Sequence, residues 1–477
     1  MKDIIFVYDN INMPNKRIKT IIGDKSFADI LLKRKKLYEK YIEELEDKKY
    51  IKASYRVDDK NSLLGLKQVL NGYENVNIVH LFSNFIFTDV EQFNILIEKS
   101  RFINERVIVK RKEKAIMLMF NNIKEYNRFI DNYDMKDELI ESNEDSSIIT
   151  ESFTNLQDFD SFLRYISGGF DARFFNSMIT DENIVIKRSK DIEKIKKEYT
   201  YYQLLPEEEK KWMVMPYNYE ENDKFASYMM ERIYMPDLAI RWIHGAIDIS
   251  EFDKILDKLF FYINNRKTRK TTKDVFIKES NKLYIEKLEK RIEQLKEHPK
   301  YSILKEYIKN GTEYNNIDEI IEKYKQEYNK VIKKEKDFYE VVGHGDLCFS
   351  NILYNDETKM IRFIDPKGAL VEEELWTNPY YDIAKLSHSI CGLYDFFNCG
   401  LYDIVLNEDL RFDLKIDFNN EKYSELFKRK LLDNNIDYKK IRIYEASLFL
   451  SMLPLHMDYP KKVFGFLLNG LSILNDI

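Results

Sequence analysis

The sequence predicts an α/β domain over residues 1–145, followed by an α+β domain of two lobes over residues 155–477. Three observations carry that prediction. Apolar runs of strand length alternate with helical runs in the first third of the chain. A polar stretch of weak periodicity, DELIESNEDSSIITESFTNLQ (Asp137 to Gln157), then breaks the pattern, and its centre near Ser142 to Ser147 reads as a linker. Beyond it strands come first and a long, charged helical region follows. That order reads as a second, α+β domain.

Element by element, Ile4 to Tyr8 (IIFVY) is a strand and Phe27 to Glu46 looks helical. Strands are predicted in NVNIVHLFSNFIF (Asn75 to Phe87), RVIVK (Arg106 to Lys110) and AIMLMF (Ala115 to Phe120). After the linker, SGGFDARFFNSMITDENIVIKRS reads as two strands around a turn, then a charged helix, then a strand in SYMMERIY. From Ser250 to Lys336 the chain is mostly helical. Its KLYIEKLEKRIEQLK run repeats Ile285, Leu288, Ile292 and Leu295 at helical spacing. That stripe spans barely two heptads, so it is expected to pack within its own domain rather than in a coiled coil.

Composition bounds the function. A chain of 477 residues exceeds one ordinary core, and its 44% hydrophobic and 33% charged residues suit soluble domains. A net charge of −6, with lysines interspersed among glutamates, lacks the basic face of a nucleic-acid binder. Cys348, Cys391 and Cys399 match no zinc spacing and read as reduced thiols. The opening MKDIIFVYDN is too short an apolar run for a signal peptide, and no run reaches the ~18 residues of a membrane span. A cytoplasmic location is expected.

The chemistry concentrates in VVGHGDLCFSNILYNDETKMIRFIDPKG, Val341 to Gly368. NILY and MIRFI are strand-like runs joined by the turn residues NDETK, a hairpin that brings Asp365 back towards Asn351 and the loop carrying Asp346. Two carboxylates and a carboxamide at one end of a hairpin suit Mg²⁺, which takes hard oxygen ligands together with substrate phosphates. Asp365 and Asn351 are the candidate ligands, and Asp346 is then left to accept a proton from an attacking hydroxyl. His344, Asp346, Leu347 and Asn351 also reproduce the His-x-Asp-Leu-x-x-x-Asn spacing of a kinase catalytic loop. The plainer alternative is a His-Gly-Asp turn that merely precedes a hairpin. Upstream features add to the first reading: Lys187 on the strand NIVIKRS, Glu198 on the next helix, and Gly168 and Gly169 in a turn placed to lie over phosphates.

With these residues in place, the chain from about Leu156 onward resembles the aminoglycoside phosphotransferase and choline kinase-like family of small-molecule kinases. HGDLCFSNIL resembles the family's catalytic loop, FIDPKG its metal-binding Asp, SYMMERI the segment between the lobes, and PYYDIAKLSHSI the helix after the metal Asp. The resemblance implies a protein-kinase-like fold of two lobes, an N-lobe of about 155–235 and a C-lobe of about 236–477, with Asp346 as catalytic base, Asn351 and Asp365 on Mg²⁺, and Lys187 on the phosphates of ATP with Glu198 as its partner. It further implies that Met230, Glu231 and Ile233 line the adenine site and that Asp382 buttresses the loop. His344 is expected to fix the loop rather than move protons. His388 and His456 read as core or pocket-wall residues, and Glu372 to Glu374, Asp382 and His456 are the first candidates for substrate contact. Asp365-Pro366-Lys367-Gly368 stands where protein kinases carry Asp-Phe-Gly, and the glycine turn lacks the full Gly-x-Gly-x-x-Gly pattern, which argues against a protein substrate.

The first domain resembles sugar nucleotidyltransferases, through the strand IIFVY, the lysine segment GDKSFADIL with Lys25, and IVHLFSNFIFTD. No glycine precedes Gly23, and Ser83-Asn84 stands where that family carries a metal-binding Asp. The resemblance therefore implies a degenerate, non-catalytic domain. Together the domains suggest an ATP- and Mg²⁺-dependent phosphotransferase acting on a sugar or amino alcohol in surface-polysaccharide (capsule) metabolism. An antibiotic kinase, or an inactive nucleotide-binding scaffold, are the alternatives.

Overall fold

The computed structural model describes residues 1–32, 34–137, 146–167, 176–180 and 183–476. The chain forms two compact units, Met1–Phe170 and Asp171–Ile477. Among the described residues, no helix is long and apolar enough to cross a membrane.

The first unit is built on a six-stranded mixed sheet. Its strands are β1 (Asp3–Asp9), β2 (Ile51–Val57), β3 (Val76–Phe82), β4 (Val107–Arg111), β5 (Lys114–Phe120) and β6 (Ser146–Ile149), in the order β2-β1-β3-β5-β4-β6. β1 runs parallel to both β2 and β3, whereas β5 is antiparallel to its two neighbours. Every residue of β3 and all but the first of β1 are buried, the pattern of strands covered on both faces.

Two expectations are corrected here. Phe27 to Glu46 is not one helix: a 3₁₀ turn (Phe27–Asp29) and a tight hairpin of Leu31–Leu32 with Lys35–Lys36 precede the helix Leu37–Glu46. The described end of the expected linker, Ser146 and Ser147, is strand β6 paired with β4, and Phe153–Asn155 pairs with Phe85–Phe87. Backbone hydrogen bonding thus draws these polar residues into the first unit, and the unit boundary falls at Phe170 rather than between 145 and 155.

The second unit opens with a four-stranded antiparallel sheet: β7 (Asn176–Thr180), β8 (Ile184–Ser189), β9 (Pro216–Glu221) and β10 (Ala226–Glu231), in the order β7-β8-β10-β9. Helix α1 (Ile192–Leu204) starts at the capping carboxylate of Asp191 and packs on this sheet through Ile195. The remainder is largely helical. It holds a small sheet of β11 (Thr268–Lys270), β12 (Tyr339–Val342) and β15 (Trp376–Thr377), and the hairpin of β13 (Ile352–Tyr354) with β14 (Ile361–Phe363).

Helices α2 (Lys273–Asn281) and α3 (Lys287–Lys296) are joined by a π-helical turn, Lys282–Glu286. That turn shifts the apolar stripe by one residue. Tyr284, not Ile285, takes the buried position ahead of Leu288, Ile292 and Leu295, and stacks on Tyr444 with ring centroids 4.1 Å apart. Further on lie α4 (Tyr381–Ile390) and α5 (Tyr438–Ser451), both almost wholly buried.

Candidate active site

β8 presents Lys187 opposite Tyr228 of β10, and its side chain turns into the protein rather than into water. There the ammonium lies 2.6 Å from Glu198 Oε2 and 2.8 Å from Asp365 Oδ1. Tyr228 donates to the same Glu198 oxygen at 3.0 Å. Burial works against a charged lysine, but Asp365, Tyr228 and Glu198 outweigh it and hold the Lys187 pKa well above its ordinary value. Burial is also the main force raising the Glu198 pKa, with Lys187 acting against it.

Asp365 needs a left-handed backbone, φ +57°, to turn its carboxylate back from the end of β14. Gly368, at φ +88°, touches α1 so closely that a Cβ would stand 2.7 Å from Lys197 backbone. The segment carrying Asp365 is thereby seated against the helix carrying Glu198.

Asp346 lies on the loop between β12 and β13. The loop hangs from Asp382 at the start of α4: Oδ2 accepts from His344 N at 3.0 Å and Oδ1 from Gly345 N at 2.8 Å. Arg266 donates to Asp382 Oδ2 at 2.9 Å, and both side chains are fully buried. His344 is fixed at both ring nitrogens, Nε2 on the Ile364 carbonyl at 3.0 Å and Nδ1 towards Asp346 N at 3.3 Å. An N–H donor at Nδ1 and a carbonyl acceptor at Nε2 require the neutral tautomer protonated on Nε2, and burial lowers the His344 pKa to match. His344 is a brace.

Asn351 points its amide nitrogen at the Asp346 carbonyl, 2.8 Å away, which leaves its side-chain oxygen as the acceptor facing outward from that bond. The carboxylate of Asp346 pairs with Lys385 of α4 at 2.8 Å. Asp346, Asn351 and Asp365 are therefore joined by backbone: Ile364 N donates to Asn351 O at 3.0 Å, and Lys367 N to His344 O at 3.0 Å.

Of the adenine-site candidates, Met230 is buried in the sheet's apolar cluster, Ile233 packs against it half-buried, and Glu231 is exposed at the end of β10. Val185, Leu353 and Ile364 pack against the same cluster, three apolar residues that sequence reasoning did not single out. Gly168 and Gly169 lie outside the described residues.

The substrate candidates divide. Asp382 is wholly buried and engaged, so it is unavailable to a substrate. Glu373 is tied to Arg269 at 2.5 Å, and Glu374 accepts from Leu370 N at 2.7 Å. His388 is sandwiched between Tyr394 and Phe449, and His456 packs on Phe466. Lys385 was the residue missed, because a lysine in the middle of an apolar helix is legible only once Asp346 stands beside it.

The chain was compared with known proteins. A model of the Ecdysteroid kinase-like family matches residues 250–367, the stretch that contains Asp346, Asn351 and Asp365. No curated protein sequence matches. Among solved structures, aminoglycoside phosphotransferase APH(4)-Ia in complex with ADP and hygromycin B is 10% identical over 66% of this chain and 97% of its own, at a TM-score of 0.36. Glucosamine kinase is 9% identical, with 67% and 81% covered and a TM-score of 0.37. Choline kinase from Cryptosporidium parvum Iowa II is 13% identical, with 64% and 86% covered and a TM-score of 0.29. At such scores, function has to be read from the side chains themselves.

Proposed function

We propose that the second unit is a protein-kinase-like phosphotransferase that moves the γ-phosphoryl group of ATP to a hydroxyl of a small molecule. The observation that carries this reading is the buried Lys187, held between Glu198 and Asp365 at the head of the Asp346 loop. A buried ammonium shared by two carboxylates is costly unless something makes use of it. An ATP phosphate is such a partner: it would draw Lys187 from Asp365 while Glu198 keeps the ammonium aimed. The family match over residues 250–367 supports the same reading.

The donor set fits Mg²⁺. Asp365 offers a partly exposed carboxylate and Asn351 a carbonyl oxygen whose amide partner is already bonded. When bound, Mg²⁺ supplies charge neutralisation on the phosphate oxygens. The chain's own residues do the rest. Lys187 binds phosphate, Val185, Ile233, Leu353 and Ile364 offer apolar surface to the base, and Asp346 orients the acceptor hydroxyl and takes its proton. Lys385 pairs with the Asp346 carboxylate and aims it.

For the first unit the reading is a nucleotidyltransferase-like domain without catalysis. Asn84, at the expected metal position, bonds Asn155 through its side chain at 3.2 Å and Leu156 N through its carbonyl, so the polypeptide itself occupies that end of the sheet. Pairing the two units suggests a cytoplasmic role in surface-polysaccharide metabolism. The test is mass spectrometry of a metabolite extract incubated with ATP, Mg²⁺ and either the wild type or Asp346→Asn. A metabolite that gains a phosphoryl group with the wild type only supports the reading. Nucleotide binding by both proteins with no transfer by either refutes it in favour of a scaffold.

A further inference from the structure

The flank of Asp346 away from Lys187 is cationic. Lys385 bonds Asp346 at 2.8 Å, and one turn earlier on the same helix Tyr381 accepts a hydrogen bond from Lys287 at 3.1 Å. Tyr381 is buried beside both lysines. Burial opposes ionisation of the phenol, yet Lys287 and Lys385 prevail and draw its pKa below the ordinary value. Lys367, two residues after Asp365, lines a recess with Gly345, Leu283 and Tyr381, its side chain lying over Gly345.

Lys287 also lines a surface groove of about 490 Å³, together with Lys282, Glu286, Lys290, Arg291 and Gln294 of the same helical run. Four of the six are cations and one is an acid. Among the described residues, neither Lys287 nor Lys367 forms an ion pair with a carboxylate, and the hydrogen bond of Lys287 goes to the neutral phenol of Tyr381. The groove is also built rather than incidental. The π-helical turn Lys282–Glu286 contributes Lys282 and Glu286 to its lining, and the turn is anchored by fully buried Tyr284, stacked on Tyr444. A π-turn interrupts a helix at a cost and is found mostly at functional sites.

We propose that the acceptor of the phosphotransfer is an anion: a small polyhydroxylated molecule that already carries a phosphate or carboxylate group, seated on Lys287, Lys290 and Lys367 with its free hydroxyl at Asp346. This rests on the kinase reading of the same site. In the reaction the acceptor oxygen forms the new bond to the γ-phosphorus, the bond from that phosphorus to the β–γ bridging oxygen breaks, ADP leaves, and the hydroxyl proton passes to Asp346. A polycation such as an aminoglycoside, or a quaternary amine such as choline, meets repulsion here.

The test is calorimetric titration of the full chain, saturated with Mg²⁺ and a non-hydrolysable ATP analogue, at fixed ionic strength. The probes are glycerol 3-phosphate, ribitol 5-phosphate and 6-phosphogluconate, against glycerol, ribitol, glucosamine and choline. At least one anion is expected to bind at least tenfold tighter than any neutral or cationic probe. Lys287→Glu with Lys290→Glu should weaken it at least tenfold and leave affinity for the ATP analogue within twofold, whereas Lys287→Arg should retain it. Absence of anion binding, equal binding of neutral probes, or binding that survives the charge reversal overturns the proposal. A second arm supplies ATP. Anions that bind but are never phosphorylated would defeat the kinase reading alone, and transfer to a neutral or cationic probe without anion binding would defeat this inference alone.

Discussion

Asp382→Asn is expected to destabilise the second unit heavily, and the size of the effect can be worked from three hydrogen bonds. Asp382 is wholly buried, and its carboxylate accepts from Arg266, His344 N and Gly345 N. An asparagine keeps the shape but turns one oxygen into an N–H₂ donor. Whichever way the amide is set, a donor meets a donor: Gly345 N–H on one side, or His344 N–H and the Arg266 guanidinium on the other. Arg266, buried as well, also loses its counter-charge. Breaking a buried ion pair by removing one partner costs about 3–5 kcal/mol.

All three tryptophans, Trp212, Trp242 and Trp376, belong to the second unit, so their fluorescence follows that unit alone during urea unfolding. With a urea slope of about 3 kcal/mol per molar, the midpoint should fall by about 1–2 M. Arg266→Met in the Asp382→Asn background should recover part of the loss, because the uncompensated guanidinium is then gone. A midpoint within 0.3 M of the wild type, taken here as about 1 kcal/mol at that slope, would refute the claim that Asp382 carries the Asp346 loop.

Two further outcomes follow from the same structure. Glu198→Gln leaves Lys187 with Asp365 as its remaining carboxylate, so the ammonium should settle on the candidate metal ligand and ATP affinity should fall about tenfold, equivalent to about 1.4 kcal/mol, by equilibrium titration; unchanged affinity would show that Glu198 does not aim the lysine. The second unit should also lose stability from pH 7 to pH 9. Burial raises Asp237 to about 8, and Asp395 and Glu209 to about 7. These groups hold protons in the fold that the unfolded chain has already released, so their stabilisation is complete below about pH 4 and fades as pH rises through 7 to 8, at about 1.4 kcal/mol per pH unit for each proton. His344 and His388, whose pKa values burial lowers, act only below their unfolded value near 6.5 and are silent in this window. Tryptophan-detected unfolding should show the decline, and Asp237→Asn, which keeps the cap acceptor for Ile240 N, should flatten it.

Legibility in the sequence followed the reach of the physical signal. The hairpin, the loop ahead of it and the strand of Lys187 were readable because each is a local pattern: alternating apolar residues, turn chemistry and a fixed spacing. What was not readable depended on partners far along the chain. Lys385 is 39 residues from Asp346, and Arg266 is 116 residues from Asp382. The polar segment at Ser146 and Ser147 looked like a linker because an edge strand can take its stability from backbone hydrogen bonds and present polar side chains to water. In KLYIEKLEKRIEQLK the apolar spacing tolerated two registers, and only the π-turn decided between Tyr284 and Ile285.

The Asp365-Pro366-Lys367-Gly368 turn shows why a departure from the kinase pattern need not be a loss. Asp365 adopts a left-handed backbone and reaches Lys187. Gly368 has no side chain and lets α1 come close enough for Glu198 to reach the same lysine; any Cβ there would push that helix away. Between them, Lys367 donates its N–H to His344 O, locking the turn to the Asp346 loop, while its side chain covers Gly345 and lines a recess with Tyr381. Where Asp-Phe-Gly has its aromatic ring directly after the Asp, this chain has Pro366, and the cation Lys367 follows it. Four consecutive residues thus connect the buried Lys187–Glu198 pair, the loop of the proposed base and the cationic flank.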